Sequence, residues 1–310
     1  MKQLIIGLSV LLIATGCTSG KSPAPAQQVP VKKEFIMAEV PITISDPAQR
    51  ADYLALHYWD HFNFADTSYI GQPEVTEQAL SNYIDVLNYT SSPGVATEAI
   101  KGMLAKAEAD SAMFAHFGEL YEKYLHDPNS PMRNEELYIP VLEQILASPL
   151  TDEVHKIRPQ HLLDLALRNR PGAKATDFGY TLASGASGRL YGVVSPYVVL
   201  FFYNPDCNMC KTVHEQLTAS PLIAEMQKKK LLKIVALYPD EDITAWKKHL
   251  TVVPREWING YDKELKMRNE ELYDLKAIPT LYLLDKDKKV ILKDVTFEQL
   301  QVFLENNVSL

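Results

Sequence analysis

The chain has 310 residues, a length that suits about two domains, and 46% of them are apolar against 23% charged, enough for sizeable cores. Its formal net charge is -8 and it has no strong basic run, which argues against nucleic acid as a partner. The short KKK at 228–230 reads as a solvated helix end.

The first residues are read as a targeting segment, not as fold. Met1-Lys2 is a minimal basic start, and LIIGLSVLLI (4–13) is apolar but too short to span a bilayer comfortably. It runs into Ala14-Thr15-Gly16-Cys17, and small residues before a cysteine at this distance resemble a bacterial lipoprotein signal. Residues 1–16 are then the signal and Cys17 the lipidated first residue of the mature chain. The alternative is an ordinary secretory signal in which Cys17 is incidental. Thr18 stands where relatives of this signal class carry Asp when they stay in the inner membrane, so the resemblance implies a periplasm-facing protein anchored to the outer membrane. TSGKSPAPAQQVPVKK (18–33) is rich in Pro, Ser and Ala, and residues 17–35 read as a flexible tether.

Residues 36–170 read as an all-α domain of about six helices. Asp46-Pro47 can open the first, in which Ala51, Leu54, Ala55, Tyr58 and Phe62 recur at helical spacing. Ala79, Leu80, Tyr83, Ile84 and Leu87 make a second stripe, and further helices are predicted over 95–109, 111–125, 136–147 and 159–169. His57 and His61 lie four apart with Asp60 between them, a spacing that can hold a metal, but no third ligand is apparent and the structural reading is preferred. Trp59, Trp246 and Trp257 read as core or cleft-wall residues.

After Asn169-Arg170-Pro171-Gly172 the period changes, and residues 171–310 read as an α/β domain. Phe178, Tyr180 and Leu182 alternate, SGASG (184–188) turns the chain, and Leu190-Tyr191 begins a return. YVVLFFY (197–203) and LLKIVALY (231–238) are continuous apolar runs, as expected for strands covered on both faces. One helix is predicted over 207–228 and another over 240–250. TLYLLD (280–285), a DKDKK turn and VILKD (290–294) form a hairpin, and a Thr296-x-x-Gln299 capping box opens the last helix.

The chain has three cysteines, Cys17, Cys207 and Cys210. If the first carries lipid, the other two have only each other as partners within the chain. A structural zinc site would need four ligands, and no second CxxC or nearby histidine pair supplies them. A structural disulfide across so short a loop would add little stability, because the gain grows with loop length. A reactive dithiol is the reading that survives.

Taken in order, these residues resemble a thioredoxin-fold domain, over about 172–310. A buried strand feeds Cys207-Asn208-Met209-Cys210-Lys211, a helix follows, and Ile278-Pro279-Thr280 matches the family's cis-proline turn before the hairpin. Ala175-Thr176-Asp177-Phe178 resembles the lead-in of membrane-tethered, periplasmic thiol-disulfide oxidoreductases of the redoxin group. The helical half resembles a domain of unknown function that precedes thioredoxin domains in some Gram-negative lipoproteins. The resemblance implies exchange with protein thiols and disulfides, a separate redox partner, and no cofactor or metal.

The chemistry asks for this arrangement. A helix start sets Cys207 against unpaired N–H groups and the positive end of the helix dipole, which favours a thiolate. Two intervening residues keep Cys210 one turn along, where it can resolve a mixed disulfide. Cys207 is expected to attack and Cys210 to resolve, with Pro279 facing the pair and the Ile278 backbone free to receive an extended client strand. Three departures from the family pattern stand out. Asp206 replaces the tryptophan before the first cysteine, and its charge should oppose the thiolate. Phe201 and Val213 occupy the two places where relatives carry a proton-handling acid, which leaves His214 and Glu215 as candidates for that work, against the plainer reading of a solvated helix flank.

Two rivals remain. A redoxin-type peroxidase would need Pro-x-x-x-Thr/Ser-x-x-Cys, but Leu200 and Asn204 stand at those places before Cys207, and Cys207 itself stands three before Cys210. The other rival is a binding or scaffold lipoprotein whose dithiol is not essential.

Overall fold

A computed structural model describes residues 33–308. Cys17 and the expected signal and most of the tether lie outside the described residues.

Capping side chains set the start of most of the N-terminal helices. The Asp46 carboxylate accepts from Gln49 N and opens α1 (Pro47–His57). Proline stands at the first position of α1 and likewise opens α2 (Pro73–Leu87) and α3 (Pro93–Ala107), where the missing N–H costs nothing. Asp110 caps α4 (Ser111–Tyr121), which runs on through a π turn (Glu122–His126), and Asn134 caps α5 (Glu135–Ala147). Asp152 accepts from Val154 N and His155 N and opens α6 (Glu153–Leu167).

That last start corrects the expected one at 159. Pro159 lies inside α6, because the cap at Asp152 has already nucleated the helix. The first turns carry no buried stripe: Val154 is 73% and Ile157 68% exposed, so hydrophobic periodicity has nothing to mark. The helices share one core rich in aromatic rings, with Tyr58, Trp59, Tyr83 and Phe117 all buried in edge-on or tilted pairs. The remaining two tryptophans, Trp246 and Trp257, are buried in the sheet region.

The second region is one seven-stranded mixed sheet in the order β2-β1-β5-β4-β3-β6-β7. Its strands are β1 (Gly179–Leu182), β2 (Ser187–Arg189), β3 (Tyr197–Phe202), β4 (Leu232–Tyr238), β5 (Ile258–Tyr261), β6 (Thr280–Asp285) and β7 (Val290–Val295). The central β3 pairs parallel with β4 and antiparallel with β6. Its apolar run is explained by burial on both faces. Val199 and Phe201 pack under α7 (Asn208–Ala219), α8 (Pro221–Lys228) and α11 (Phe297–Asn307), while Val198, Leu200 and Phe202 meet Phe178, Tyr273 and Tyr282 on the other side.

Three sequence expectations need revision here. The helix expected over 207–228 is two, because Ser220 caps α8 and Pro221 cannot continue α7. The helix expected over 240–250 is only α9 (Ile243–Lys248), capped by Asp242. β5 has no counterpart among the expected strands: its Asn259 and Gly260 break any β signature, yet it pairs with both β4 and β1. A short α10 (Lys266–Asn269) follows it, and the capping box of α11 forms as expected, with Thr296 and Gln299 exchanging bonds.

The two regions meet along a seam of buried charge. Lys293 on β7, 4% exposed at its side chain, donates to the carbonyls of Leu165 (3.3 Å), Ala166 (2.8 Å) and Arg168 (2.6 Å) at the end of α6. Its ammonium also pairs with Glu135 Oε2 at 2.5 Å. Arg133 donates to the Asp294 carbonyl at 3.0 Å, and at the exposed margin of the seam Arg170 pairs with Glu136. Burying this much charge is tolerable only because each group has a partner.

Candidate functional site

The carboxyl end of β3 delivers the cysteine pair. Cys207 is the N-cap residue of α7, and its sulfur accepts from Cys210 N at 3.4 Å. Cys207 is half-buried and Cys210 is 1% exposed, and both are free thiols. The Cys210 sulfur accepts from Asn204 N, also at 3.4 Å. Burial pushes the Cys210 thiol far above its ordinary value. The two thiols thus sit in opposite environments, one at a helix mouth within reach of solvent and one sealed beneath it.

The Ile278–Pro279 peptide is cis, and this turn faces the pair. The Cys207 thiol donates to the Ile278 carbonyl at 3.5 Å. The Ile278 backbone, expected to be free, thus already accepts one bond at its carbonyl, which ionisation of the Cys207 thiol would release. Thr280 Oγ1 donates to Ala277 O at 2.5 Å and closes the turn from the other side.

His214 and Glu215 are on α7, one turn beyond Cys210. His214 packs tilted against Trp257, with ring centroids 5.1 Å apart, and its Nε2 is buried without a hydrogen-bond partner. Burial holds the imidazole below its usual value, while the Glu215 carboxylate pulls it back up. Cys210, His214, His249 and Val253 line one mostly apolar pocket of about 210 Å³, so the imidazole and the buried thiol share a cavity. Glu215 is exposed on its rim. The exposed Asp206 donates its N–H to Asn204 Oδ1, and Asn204 Nδ2 in turn holds Asp240.

Asn204 is a site residue that sequence reasoning missed, although it holds the Cys210 sulfur and the Asp206 turn. Its place directly after the strand, in NPDC, is the signal that could have found it. Tyr203 and Trp246 both donate to Asn259 Oδ1, at 2.8 and 3.1 Å, which locks the strand end beneath the dithiol. The two histidines of the His57–His61 pair differ in their surroundings. His57 Nδ1 lies 2.7 Å from Asp60, which also binds Lys106, and His61 is exposed. Among the described residues no cluster of His, Cys, Asp and Glu could hold a metal, and no helix is long and apolar enough to cross a membrane.

A central strand that delivers two cysteines to a helix start, opposite a cis-proline turn that leads into an antiparallel hairpin, defines the thioredoxin-like fold. A thioredoxin-like family matches residues 196–290, and a family described as a domain of unknown function, DUF5106, matches residues 15–169. The chain is similar over 89% of its length to the whole of a thioredoxin-like protein from Bacteroides caccae, at 48% identity and a TM-score of 0.87. It is also similar to the C-terminal domain of an uncharacterized protein from Bacteroides fragilis, at 50% identity over 44% of this chain and 98% of that one, with a TM-score of 0.44. The thioredoxin domain of a thiol-disulfide oxidoreductase from Bacteroides vulgatus matches 45% of this chain and 99% of that one, at 20% identity and a TM-score of 0.41. No curated protein matches. The chain therefore belongs to the DUF5106 family, with a thioredoxin-like region following the helices.

Proposed function

We propose that the protein exchanges disulfides with client proteins in the cell envelope through Cys207 and Cys210, held to the outer membrane by lipid on Cys17. One observation carries this reading: a half-exposed helix-cap cysteine, a sealed cysteine one turn on, and a cis-proline turn within 3.5 Å of the first sulfur.

Exchange proceeds in two displacements. The Cys207 thiolate attacks one sulfur of a client disulfide, forming a mixed disulfide and expelling the other client sulfur as a thiolate, which takes a proton. Cys210 then loses its proton to His214 Nε2 across the shared pocket and attacks the Cys207 sulfur. The second client thiolate leaves. The client gains two electrons, the dithiol loses two and becomes a disulfide, and a separate redox protein returns it to its starting state. Exchange is reversible, so the same steps run backwards oxidise a client. The Ile278 carbonyl, released when the Cys207 thiol ionises, accepts from the backbone of an extended client segment lying against Pro279. Glu215 favours the imidazolium that forms on His214.

The test is trapping. Cys210→Ser leaves Cys207 without its resolver and should accumulate mixed disulfides with clients on non-reducing gels, whereas Cys207→Ser should not. Equal trapping by both variants would sink the assignment. For the anchor, wild type should partition with membranes while Cys17→Ser stays as unprocessed precursor; a soluble, normally processed Cys17→Ser chain would defeat it.

A further inference from the structure

The ten residues between α10 and β6, Glu270 to Pro279, contain no helix or strand and end in the turn that faces Cys207. Such a segment would ordinarily be mobile. Here it is tied down, and the ties come from the end of the helical region. Arg168, directly after α6, donates to the carbonyls of Glu270 (2.9 Å) and Glu271. Asn169 donates to Leu272 O at 2.8 Å, and its own Oδ1 accepts from Thr176 N at 2.7 Å. Lys276, two residues before Ile278, reaches Glu135 at the first turn of α5 (3.5 Å) as well as Asp274 (2.7 Å). Glu271 has φ of +49°, a left-handed conformation unfavourable for glutamate, and its carbonyl is one of those Arg168 grips.

The same contacts build a groove. A cavity of about 390 Å³ lies between Leu165 of α6 and the segment, lined also by Asp240, Met267, Arg268, Leu275 and Ile278. Ile278 is common to both: it lines the groove, and its carbonyl meets the Cys207 thiol, so one residue links the groove to the dithiol. A thioredoxin-like region alone would lack the Leu165 wall and all three ties.

We propose that the helical region is a positioning device: through Arg168, Asn169 and Glu135 it fixes residues 270–276 and completes a groove for the extended polypeptide segment that flanks a client's disulfide. This rests on the exchange reading above. Arg168, Asn169 and Glu135 are positioning residues, since none touches the reacting sulfurs. A fixed edge does not have to be ordered at the moment of binding, which lowers the cost of docking a peptide. A small disulfide that reaches only Cys207 has no use for the groove.

The experiment compares two probes on the full chain. One is a synthetic peptide carrying a disulfide within about ten residues; the other is 5,5′-dithiobis(2-nitrobenzoic acid). Arg168→Ala and Glu135→Gln should each lower kcat/KM for the peptide about tenfold, mainly through KM, and leave the rate with the small disulfide within twofold. The dithiol's reduction potential should not move. Arg168 is only half-buried at the edge of the joint, so its variant keeps the test open if Glu135→Gln unfolds. Equal loss on both probes, or no loss on the peptide in a folded variant, overturns the proposal. If wild type exchanges with neither probe, the exchange reading itself falls and takes the proposal with it. If wild type reacts with both and the variants match it, only the positioning role falls.

Discussion

The helical region and the sheet region bury similar kinds of side chain but organise them differently. The helices close on a single aromatic core in which Tyr58, Trp59, Tyr83 and Phe117 pack ring on ring, with the Tyr83 hydroxyl tied to Ala55 O. The sheet divides its core between two faces and leaves its strand ends open at the carboxyl edge, where Cys207, Asn204 and the Ile278–Pro279 turn converge. A one-core bundle has no such edge. The proposed exchange site therefore lies on the sheet, and the buried ion pairs of Lys276 and Lys293 lie where the two regions touch.

If that division is right, charge at the seam should govern stability more than rate. Asp294 is the sharpest probe. Burial raises its carboxyl to about 6, against the opposing pull of Arg133 and Lys276 and with the help of Asp274 and Glu135. A carboxyl whose folded value lies above its unfolded one stabilises the fold fully below about pH 4. That contribution is lost as pH rises through about 6. Asp294 also has φ of +49°, which asparagine tolerates. Asp294→Asn should thus gain on wild type by about 2 kcal/mol between pH 4 and pH 7.5, because each tenfold change in a group's acidity on folding is worth roughly 1.4 kcal/mol. Chemical denaturation at the two pH values measures it; a difference independent of pH would show that the carboxyl's protonation does not matter.

The smaller effect should appear at the sheet edge and in rate alone. His214→Ala should slow resolution of the mixed disulfide about tenfold, somewhat below the usual loss for a general base, and leave the first attack by Cys207 unchanged. Because burial holds the imidazole below its usual value, His214 is already the free base at neutral pH, and resolution in wild type should be flat through neutrality. In His214→Ala the raised Cys210 thiol must lose its proton to solvent, and resolution should quicken as pH rises. Rapid mixing with a fluorescent peptide disulfide separates the two phases. Equal slowing of both would make His214 a packing residue against Trp257 and nothing more.

How much of this is legible in the sequence follows the range of the interactions. Caps and short-period patterns are local, so the all-α stretch, the buried β3 and β4 and the Thr296 capping box can be read directly. CNMC after a strand, and Ile278-Pro279-Thr280 before a hairpin, place the site. What escapes depends on contacts between distant residues. β5 is a strand only because β4 and β1 flank it, since INGY has no strand pattern of its own. The first turns of α6 face solvent and leave no stripe. Asn169 looks like loop punctuation and is a buried bridge between Leu272 and Thr176. Nothing in the sequence pairs Trp257 with His214 or Lys276 with Glu135.

Lys293 shows that modularity in sequence is not modularity in energy. The last carbonyls of α6 are closed by an ammonium from the sheet's far edge strand. A helix end normally finds its cap within a residue or two. Here the cap is supplied by the neighbouring module, so the helical region carries, in its own final turn, a requirement that its successor have a lysine at that register. Joined to a thioredoxin-like domain without one, it would keep its sequence and lose its ending.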